Sequence, residues 1–133
     1  MSFATTLNTI MTSDTSLNAY CDGGIRYENL PTNFEIVKNW IVYSFNKDKA
    51  DIGCLSGSLY SKYLLAVKIV ATDTLVLETI GDRLTEYLEG TASTDAIDFS
   101  FVSDNHTLDL DKKIYMNTLQ FDVLYVWRKT NIS

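Results

Sequence analysis

The sequence has little proline, histidine or cysteine, and it contains no long apolar run. Among its 133 residues there are one proline (Pro31), one histidine (His106) and two cysteines (Cys21 and Cys54). No apolar stretch reaches the roughly 18 residues that a membrane-spanning helix needs, and the first residues lack the basic start of a signal peptide. These absences disfavour secretion and membrane insertion, so we expect no membrane partner.

The two cysteines are far apart and show no C-x-x-C spacing, which is typical of reduced thiols in a cytosolic setting. A single disulfide between Cys21 and Cys54 stays open as an alternative. Together with His106 they give three possible zinc ligands from three separate regions of the sequence. A structural zinc site needs four ligands in tetrahedral arrangement. We therefore predict no metal and no cofactor.

Basic residues are scarce relative to acidic ones. Eleven Lys and Arg against seventeen Asp and Glu give a formal net charge of −6. This charge repels phosphate backbones and anionic membranes, so sequence-specific binding of nucleic acid is not expected. Solubility alone is the simpler explanation of the acidity.

What is present is typical of one globular domain covering residues 1–133. Apolar residues make up 46% and charged residues 21% of the chain, close to globular averages, and we find no linker and no internal repeat. A chain of this length can bury a core without a disulfide or a metal.

In the first half, helical spacing predicts a helix over Phe3–Met11 that resumes at Leu17–Tyr20 and is stopped by Gly23-Gly24. β-Branched and aromatic residues predict a strand over Ile36–Phe45. The polar stretch Asn46–Ser58 is predicted to be an exposed loop. Its polar residues are candidate contacts with subunits or partners: Asn46, Lys47, Asp48, Lys49 and Asp51.

In the second half, alternation predicts a strand over Leu59–Ala71, and period 3.6 then predicts a helix over Leu75–Glu89 that ends at Gly90. Its apolar stripe consists of Leu77, Ile80, Leu84 and Leu88. A third strand is predicted to place Phe99, Phe101 and Ser103 on one side and to turn at Asp104–His106. A fourth strand is predicted within Lys113–Arg128. The fold class follows: α+β, a four-stranded antiparallel sheet packed on one face by two helices, in the order α-β-β-α-β-β.

No motif for catalysis is found. His106 lies in a predicted solvent-exposed turn without a neighbouring nucleophile, and Gly53–Gly57 does not match the G-x-S-x-G elbow. The phosphate-binding glycine loops are absent as well. We predict that the protein is not an enzyme.

Two surface features stand out. The predicted second helix carries an acidic stripe of Glu78, Asp82, Glu86 and Glu89, opposite its apolar side. A solvated helix face is the ordinary interpretation; the alternative is a channel wall past which DNA moves without adhering. Near the chain end, Trp127, Arg128 and Lys129 suit either a core edge with solvent-facing charge or a protein contact.

Two stretches carry a family resemblance: Val67–Ala71 running into the Leu75–Leu88 helix, and the closing stretch Met116–Tyr125. In these stretches and in the order of elements, the sequence resembles the tail-completion or tail-terminator proteins of tailed bacteriophages. Ile25–Tyr27 and Leu30-Pro31 also match the turn that leads into the family's first strand.

This resemblance implies a structural virion protein that is assembled in the host cytoplasm. Such proteins form rings, commonly hexamers, between the tail tube and the head connector proteins, and DNA passes through the ring without specific binding. The family has no catalytic residues. Two rival hypotheses remain: an acidic interaction module such as a DNA mimic, and a small-ligand-binding domain with a pocket between helix and sheet.

Overall fold

A computed structural model describes residues 3–27, 38–53, 58–94, 96–109 and 114–128 of the chain. A five-stranded sheet forms its scaffold, with the strands side by side in the order β1-β2-β3-β5-β4. β1 is parallel to β2, and every other pair of neighbours is antiparallel. The strands are β1 (Gly24–Tyr27), β2 (Trp40–Gly53), β3 (Ser58–Ala71), β4 (Ile97–Asp109) and β5 (Ile114–Arg128).

Within the described residues, three α-helices accompany the sheet: α1 (Phe3–Ser13), α2 (Thr15–Tyr20) and α3 (Thr74–Glu86). Aspartate caps start two of them, because Asp14 accepts a hydrogen bond from the Leu17 amide and Asp73 accepts one from the Leu75 amide. α3 continues into a π-helical turn over Tyr87–Thr91, so the predicted end at Gly90 lies inside this turn.

The core lies between the helices and one face of the sheet. α1 buries Phe3, Leu7 and Met11 against it. The predicted apolar stripe of α3 is confirmed, since all four of its residues are at most 3% exposed. Each fully buried leucine of this kind contributes about 1.5–3 kcal/mol of hydrophobic stabilisation. The opposite face of the sheet carries exposed polar residues, among them Lys62 and Lys68.

The predicted four-stranded antiparallel sheet is wrong. The sheet has five strands and is mixed, and the element order is α-α-β-β-β-α-β-β. The fifth strand and the parallel pair come from Ile25–Tyr27, which forms most of β1 and pairs in parallel with β2. Four residues are too short to show a reliable alternation, and a parallel pair depends on a distant partner rather than on a local turn.

Two predicted connections are strands in the structure. The first part of the expected loop Asn46–Ser58 continues β2 to Gly53, and residues 54–57 lie outside the described chain. The expected turn at Asp104–His106 is also wrong, because β4 runs without a break to Asp109. Cross-strand pairing along β3 and β5 overrides the polar, turn-prone composition of these segments. The predicted start of β2 at Ile36 lies outside the described residues.

Candidate functional site

An open groove of about 690 Å³ separates α3 from β4 at one edge of the sheet. The α3 wall carries Glu78, Asp82 and Glu86, and the β4 wall carries Asp104 and other exposed residues. The floor comes from the helix-facing side of β5. All four carboxylates are exposed, so the groove presents a concentrated negative field to whatever enters it.

A β-bulge in β4 sets which side chains face the groove. The register with β5 shifts between Phe101 and Ser103, so one extra residue is inserted. After the bulge Asp104 pairs with Leu119 and His106 pairs with Asn117, on the side that faces α3. The prediction that Ser103 shares a face with Phe101 is therefore wrong, because the bulge moves Asp104 to that position.

Glu89 differs from the other three members of the acidic stripe. Its Oε2 accepts a hydrogen bond from the Phe101 amide at 3.1 Å, so it contacts the edge of β4 directly. Glu78, Asp82 and Glu86 instead line the groove. The structure thus divides the predicted stripe into three groove carboxylates and one carboxylate that caps a strand edge.

The first half of β4 has its outer edge covered by the segment before it. Besides the Glu89 bond, the Phe99 amide donates to Ser93 Oγ at 3.0 Å, and the Ile97 amide donates to Thr94 Oγ1 at 3.3 Å. Edge strands are commonly protected in this way, because their unpaired backbone groups otherwise pair with another chain. Among the described residues, no such bond reaches Ser103–Asp109.

Asn117 lies on the floor of the groove. It is 5% exposed, and its Oδ1 has no hydrogen-bond partner among the described residues. A buried amide oxygen without a donor costs about 1–3 kcal/mol. The groove therefore combines negative charge with an unsatisfied acceptor, and both favour a ligand that carries hydrogen-bond donors and positive charge.

His106 forms an exposed contact within the groove. Its Nε2 lies 3.1 Å from Asp104 Oδ2, and the two side chains are 54% and 48% exposed. Exposed pairs of this kind contribute little to stability. Within the described residues no cluster of three or more His, Cys, Asp or Glu is arranged to hold a metal ion.

The α3 wall is fixed by contacts with the other helices. Arg83 binds the carboxylate of Asp14 through two hydrogen bonds, and the Tyr87 hydroxyl donates to the Ile10 carbonyl at 2.8 Å. Burial is the main reason that the pKa of Tyr87 is raised, which keeps its hydroxyl protonated as a donor. These bonds hold α3 at a set position above the sheet.

The predicted contact residues within the described part of the chain do not line the groove. Asn46 and Lys47 are exposed on β2, beyond the part of that strand that pairs with β1. The structure describes only the backbone, and not the side chains, of five further predicted contact residues in β2 and β5: Asp48, Lys49, Asp51, Trp127 and Arg128. Lys129 lies outside the described residues. Among the described side chains, Asn46 and Lys47 are thus not brought together with the acidic stripe within one chain.

Cys21, at the C-terminal cap of α2, has a free and buried thiol, and burial raises its pKa to about 12. It is accordingly a protonated, unreactive thiol at neutral pH. Cys54 lies outside the described residues. Among the described residues, every helix is too short or too polar to cross a bilayer.

Sequence reasoning missed two groove residues, Asp104 and Asn117. Asp104 reaches the groove only through the bulge, which no local pattern indicates. Asn117 stands among apolar residues of one strand face, between Tyr115 and Leu119. A polar residue interrupting an otherwise apolar face is the signal that could have identified it.

No protein-family model matches the sequence, and no curated protein matches it. Among solved structures, the fold is similar to a chain of a structure titled "Virion of native gene transfer agent (GTA) particle". The TM-score is 0.69 at 11% sequence identity, and the alignment covers 95% of this chain and 96% of that chain. The two chains therefore share one fold along nearly their full lengths.

Proposed function

We propose that this protein is a structural subunit of a phage-like virion. The observation that carries the proposal is the fold shared, over 95% of the chain, with a component of a gene transfer agent virion. Two stretches of the sequence, Val67–Ala71 running into the Leu75–Leu88 helix and Met116–Tyr125, also resemble tail-terminator proteins, which are virion proteins. The proposal assigns the chain a structural role and no catalytic reaction.

Within the virion, we propose the role of a ring-forming tail terminator or head–tail connector subunit. The ring is hexameric, contacts the tail tube and the head connector proteins, and lets DNA pass without specific binding. The protein assembles in the host cytoplasm and resides in the virion. The two edge strands of the sheet differ, since β1 has 4 residues and β4 has 13, and a contact between unlike surfaces is the kind that closes into rings.

The mass of the native particle tests the proposal. Sedimentation velocity and native mass spectrometry of the purified chain are expected to show a closed hexamer, alone or after mixing with tail tube and connector proteins. Negative-stain images are expected to show an annulus with a central opening. A strict monomer under all these conditions contradicts the ring-forming role.

The acidic groove favours a second candidate, an acidic interaction module that binds a basic protein. Its three α3 carboxylates and the unsatisfied Asn117 oxygen suit a cationic ligand. Such a module stays a monomer or dimer by itself and binds its basic partner tightly at low salt. The same mass measurement separates the two candidates.

A further inference from the structure

The acidic groove follows β4 for most of the length of α3. Just beyond the C-terminal end of α3, Glu89 Oε2 accepts the hydrogen bond from the Phe101 amide. Near the other end of α3, Glu78 borders a second open cavity of about 300 Å³ together with Leu108 of β4. This cavity shares Glu78 and His106 with the groove, so it extends the groove along β4. The space between helix and strand therefore has the elongated shape that an extended peptide needs.

The groove contains negative charge that no nearby cation balances. Among the described residues, Glu78 and Asp82 are exposed and form no ion pair. Glu86 lies 3.5 Å from Arg83, but both oxygens of Asp14 already hold that guanidinium group. No other Lys or Arg belongs to the sequence of α3 or β4. A ligand that fills the groove is therefore favoured when it carries positive charge.

β4 is the edge strand on this side of the sheet. Its first half is capped by side chains of the preceding segment, such as Ser93 on the Phe99 amide. Among the described residues, no such bond reaches Ser103–Asp109, the part of β4 that contributes Asp104 and His106 to the groove. An extended peptide binds to an edge of this kind by adding to the sheet as a further strand.

The spacing of the groove carboxylates matches the spacing of side chains along a strand. Glu78, Asp82 and Glu86 follow one another at four-residue intervals on a helix, which places them about 6 Å apart. Alternate residues of a strand point to the same face and lie about 6.6 Å apart. A strand that carries lysine or arginine at alternate positions therefore presents its cations at nearly the interval of the carboxylates. Within the described residues, no group of acidic side chains is arranged to hold a metal ion.

The floor of the groove gives a second, independent indication of a ligand. Asn117 is 5% exposed and borders the groove, and its Oδ1 has no hydrogen-bond partner among the described residues. Asn117 pairs with His106 of β4, so a strand added to β4 would lie two strands away from it. Neighbouring strands are about 4.8 Å apart, which makes this separation about 10 Å. A long basic side chain and the Asn117 side chain together span this distance, so a hydrogen bond between them can form.

We infer that the groove binds an extended basic segment of another protein, which adds to β4 along Ser103–Asp109 as a sixth strand. Its backbone pairs with β4, and lysine or arginine side chains at alternate positions face Glu78, Asp82 and Asp104. Leu108 is 47% exposed at one end of the groove, so an apolar residue is expected at that end of the segment. This inference rests on the proposed binding of a basic protein, and it specifies where and how that protein binds.

Peptide binding to the complete chain tests the inference. The probe is a fluorescent peptide as long as Ser103–Asp109, with lysine at alternate positions and threonine between them. Fluorescence anisotropy at about 0.05 M salt is expected to show saturable binding that weakens as salt screens the charges. The groove variant, Glu78→Gln with Asp82→Asn, is expected to bind at least about fivefold more weakly. The control variant, Asp98→Asn with Asp122→Asn, removes the same charge from the opposite face of the sheet and is expected to bind like the wild type.

Backbone methylation of the probe separates strand addition from attraction between charges alone. Alternate residues of a strand direct their amides to the same neighbour, so only one of the two alternating sets faces β4. Two further peptides carry N-methyl groups either on every lysine or on every threonine and keep the same charge. One of them is expected to bind more than about tenfold more weakly, while the other binds like the probe. Hydrogen exchange is expected to show added protection across Ser103–Asp109 in the complex and none across Ile97–Phe101, where amides are already capped.

Each alternative gives a different result, and circular dichroism melting verifies that both variants are folded. Equal binding by the groove variant and the wild type overturns the inference and leaves the channel wall as the interpretation of the acidic stripe. Equal effects of the two methylation patterns, or displacement by spermidine as effective as by unlabelled probe at equal charge, overturn it in favour of an unspecific cation site.

A second copy as the natural occupant is also distinguishable. A groove variant that loses self-association shown by the wild type, in sedimentation velocity without peptide, assigns the groove to another copy and overturns the inference. A wild-type chain that binds no lysine peptide contradicts the proposed acidic interaction module itself. The ring-forming role stands or falls separately, by the mass of the native particle.

Discussion

Arg83 of α3 holds the carboxylate of Asp14, the residue that caps α2, with both of its oxygens engaged. Nε lies 2.9 Å from Oδ2 and Nη2 lies 2.6 Å from Oδ1. The hydrogen bonds from Arg83 lower the pKa of Asp14 below its ordinary value, and the amide of Leu17 adds to the effect. One ion pair thus starts α2, joins it to α3 and fixes the wall of the acidic groove.

Arg83→Met is expected to lower the free energy of unfolding by about 2 kcal/mol. The substitution leaves Asp14, which is 8% exposed, without its charged partner, and losing a hydrogen bond to a buried charge costs about 1.5–3 kcal/mol. Urea denaturation measures the loss. Glu86→Gln is the control: Glu86 is exposed and 3.5 Å from Arg83, so its loss is expected to cost under about 0.5 kcal/mol.

The contribution of this pair is expected to depend on pH in a defined direction. The pKa of Asp14 is lower in the folded state than in the unfolded chain, where it is about 3.9. The stabilisation is therefore fully present when the pH is above the pKa of the unfolded chain. It is lost as the pH falls through the lower pKa of the folded state. The stability difference between the wild type and Arg83→Met should be constant from about pH 6 to 7 and should shrink below about pH 4. A difference that grows on acidification contradicts this assignment.

Long periodic elements could be predicted from the sequence, and elements that depend on distant partners could not. The apolar stripe of α3 and the alternation of β3 and β5 are dictated by local spacing, and the structure confirms them. β1 is short and acquires its structure from parallel pairing with β2. The polar segment Asn46–Gly53 forms the second part of β2 because it pairs with β3. Its turn-prone composition does not indicate this pairing.

The acidic groove was only partly predictable. Helical spacing placed Glu78, Asp82 and Glu86 on one surface, and they do share a groove wall. Glu89 follows them in spacing, but the π-helical turn places it at the edge of β4, where it binds the Phe101 amide. The opposite wall depends on a one-residue bulge, and a shift of one residue in a strand exchanges its two faces.

Leu84→Ala is expected to cost about 2–5 kcal/mol of stability. Leu84 is fully buried beneath α3, so the substitution loses transfer free energy and leaves a cavity. Leu75→Ala in the same helix is the matched control, because Leu75 is 71% exposed and should change stability by less than about 0.5 kcal/mol. Equal effects of the two substitutions in chemical denaturation would mean that α3 is rotated relative to the structure.

Gly81→Ala is expected to stabilise the protein by about 0.5–1 kcal/mol. A methyl group at Gly81 meets its nearest atoms at 3.8 Å, which is ordinary contact, and alanine favours the helix by roughly this amount. Gly23→Ala is the opposite case, because its methyl group would lie 2.4 Å from the buried Trp40 ring. We expect that substitution to lower the melting temperature, and a fall for both would show that α3 packs more tightly on β5 than the distances indicate.

Asn117→Leu is expected to stabilise the isolated subunit by about 1 kcal/mol. Asn117 is 5% exposed beneath α3 and its Oδ1 lacks a donor among the described residues, so the folded chain bears the cost of an unsatisfied buried oxygen. Leucine has the same number and branching of side-chain heavy atoms as asparagine and no polar atom, and its neighbours on this face include Leu119 and Tyr115. Urea unfolding of a dilute, dissociated sample measures the subunit alone.

Asn105→Leu on the exposed part of β4 controls for added apolar area and should change stability by less than about 0.5 kcal/mol. A loss of stability in Asn117→Leu shows instead that the oxygen accepts a hydrogen bond in solution, and the acceptor then no longer counts in favour of a ligand in the groove.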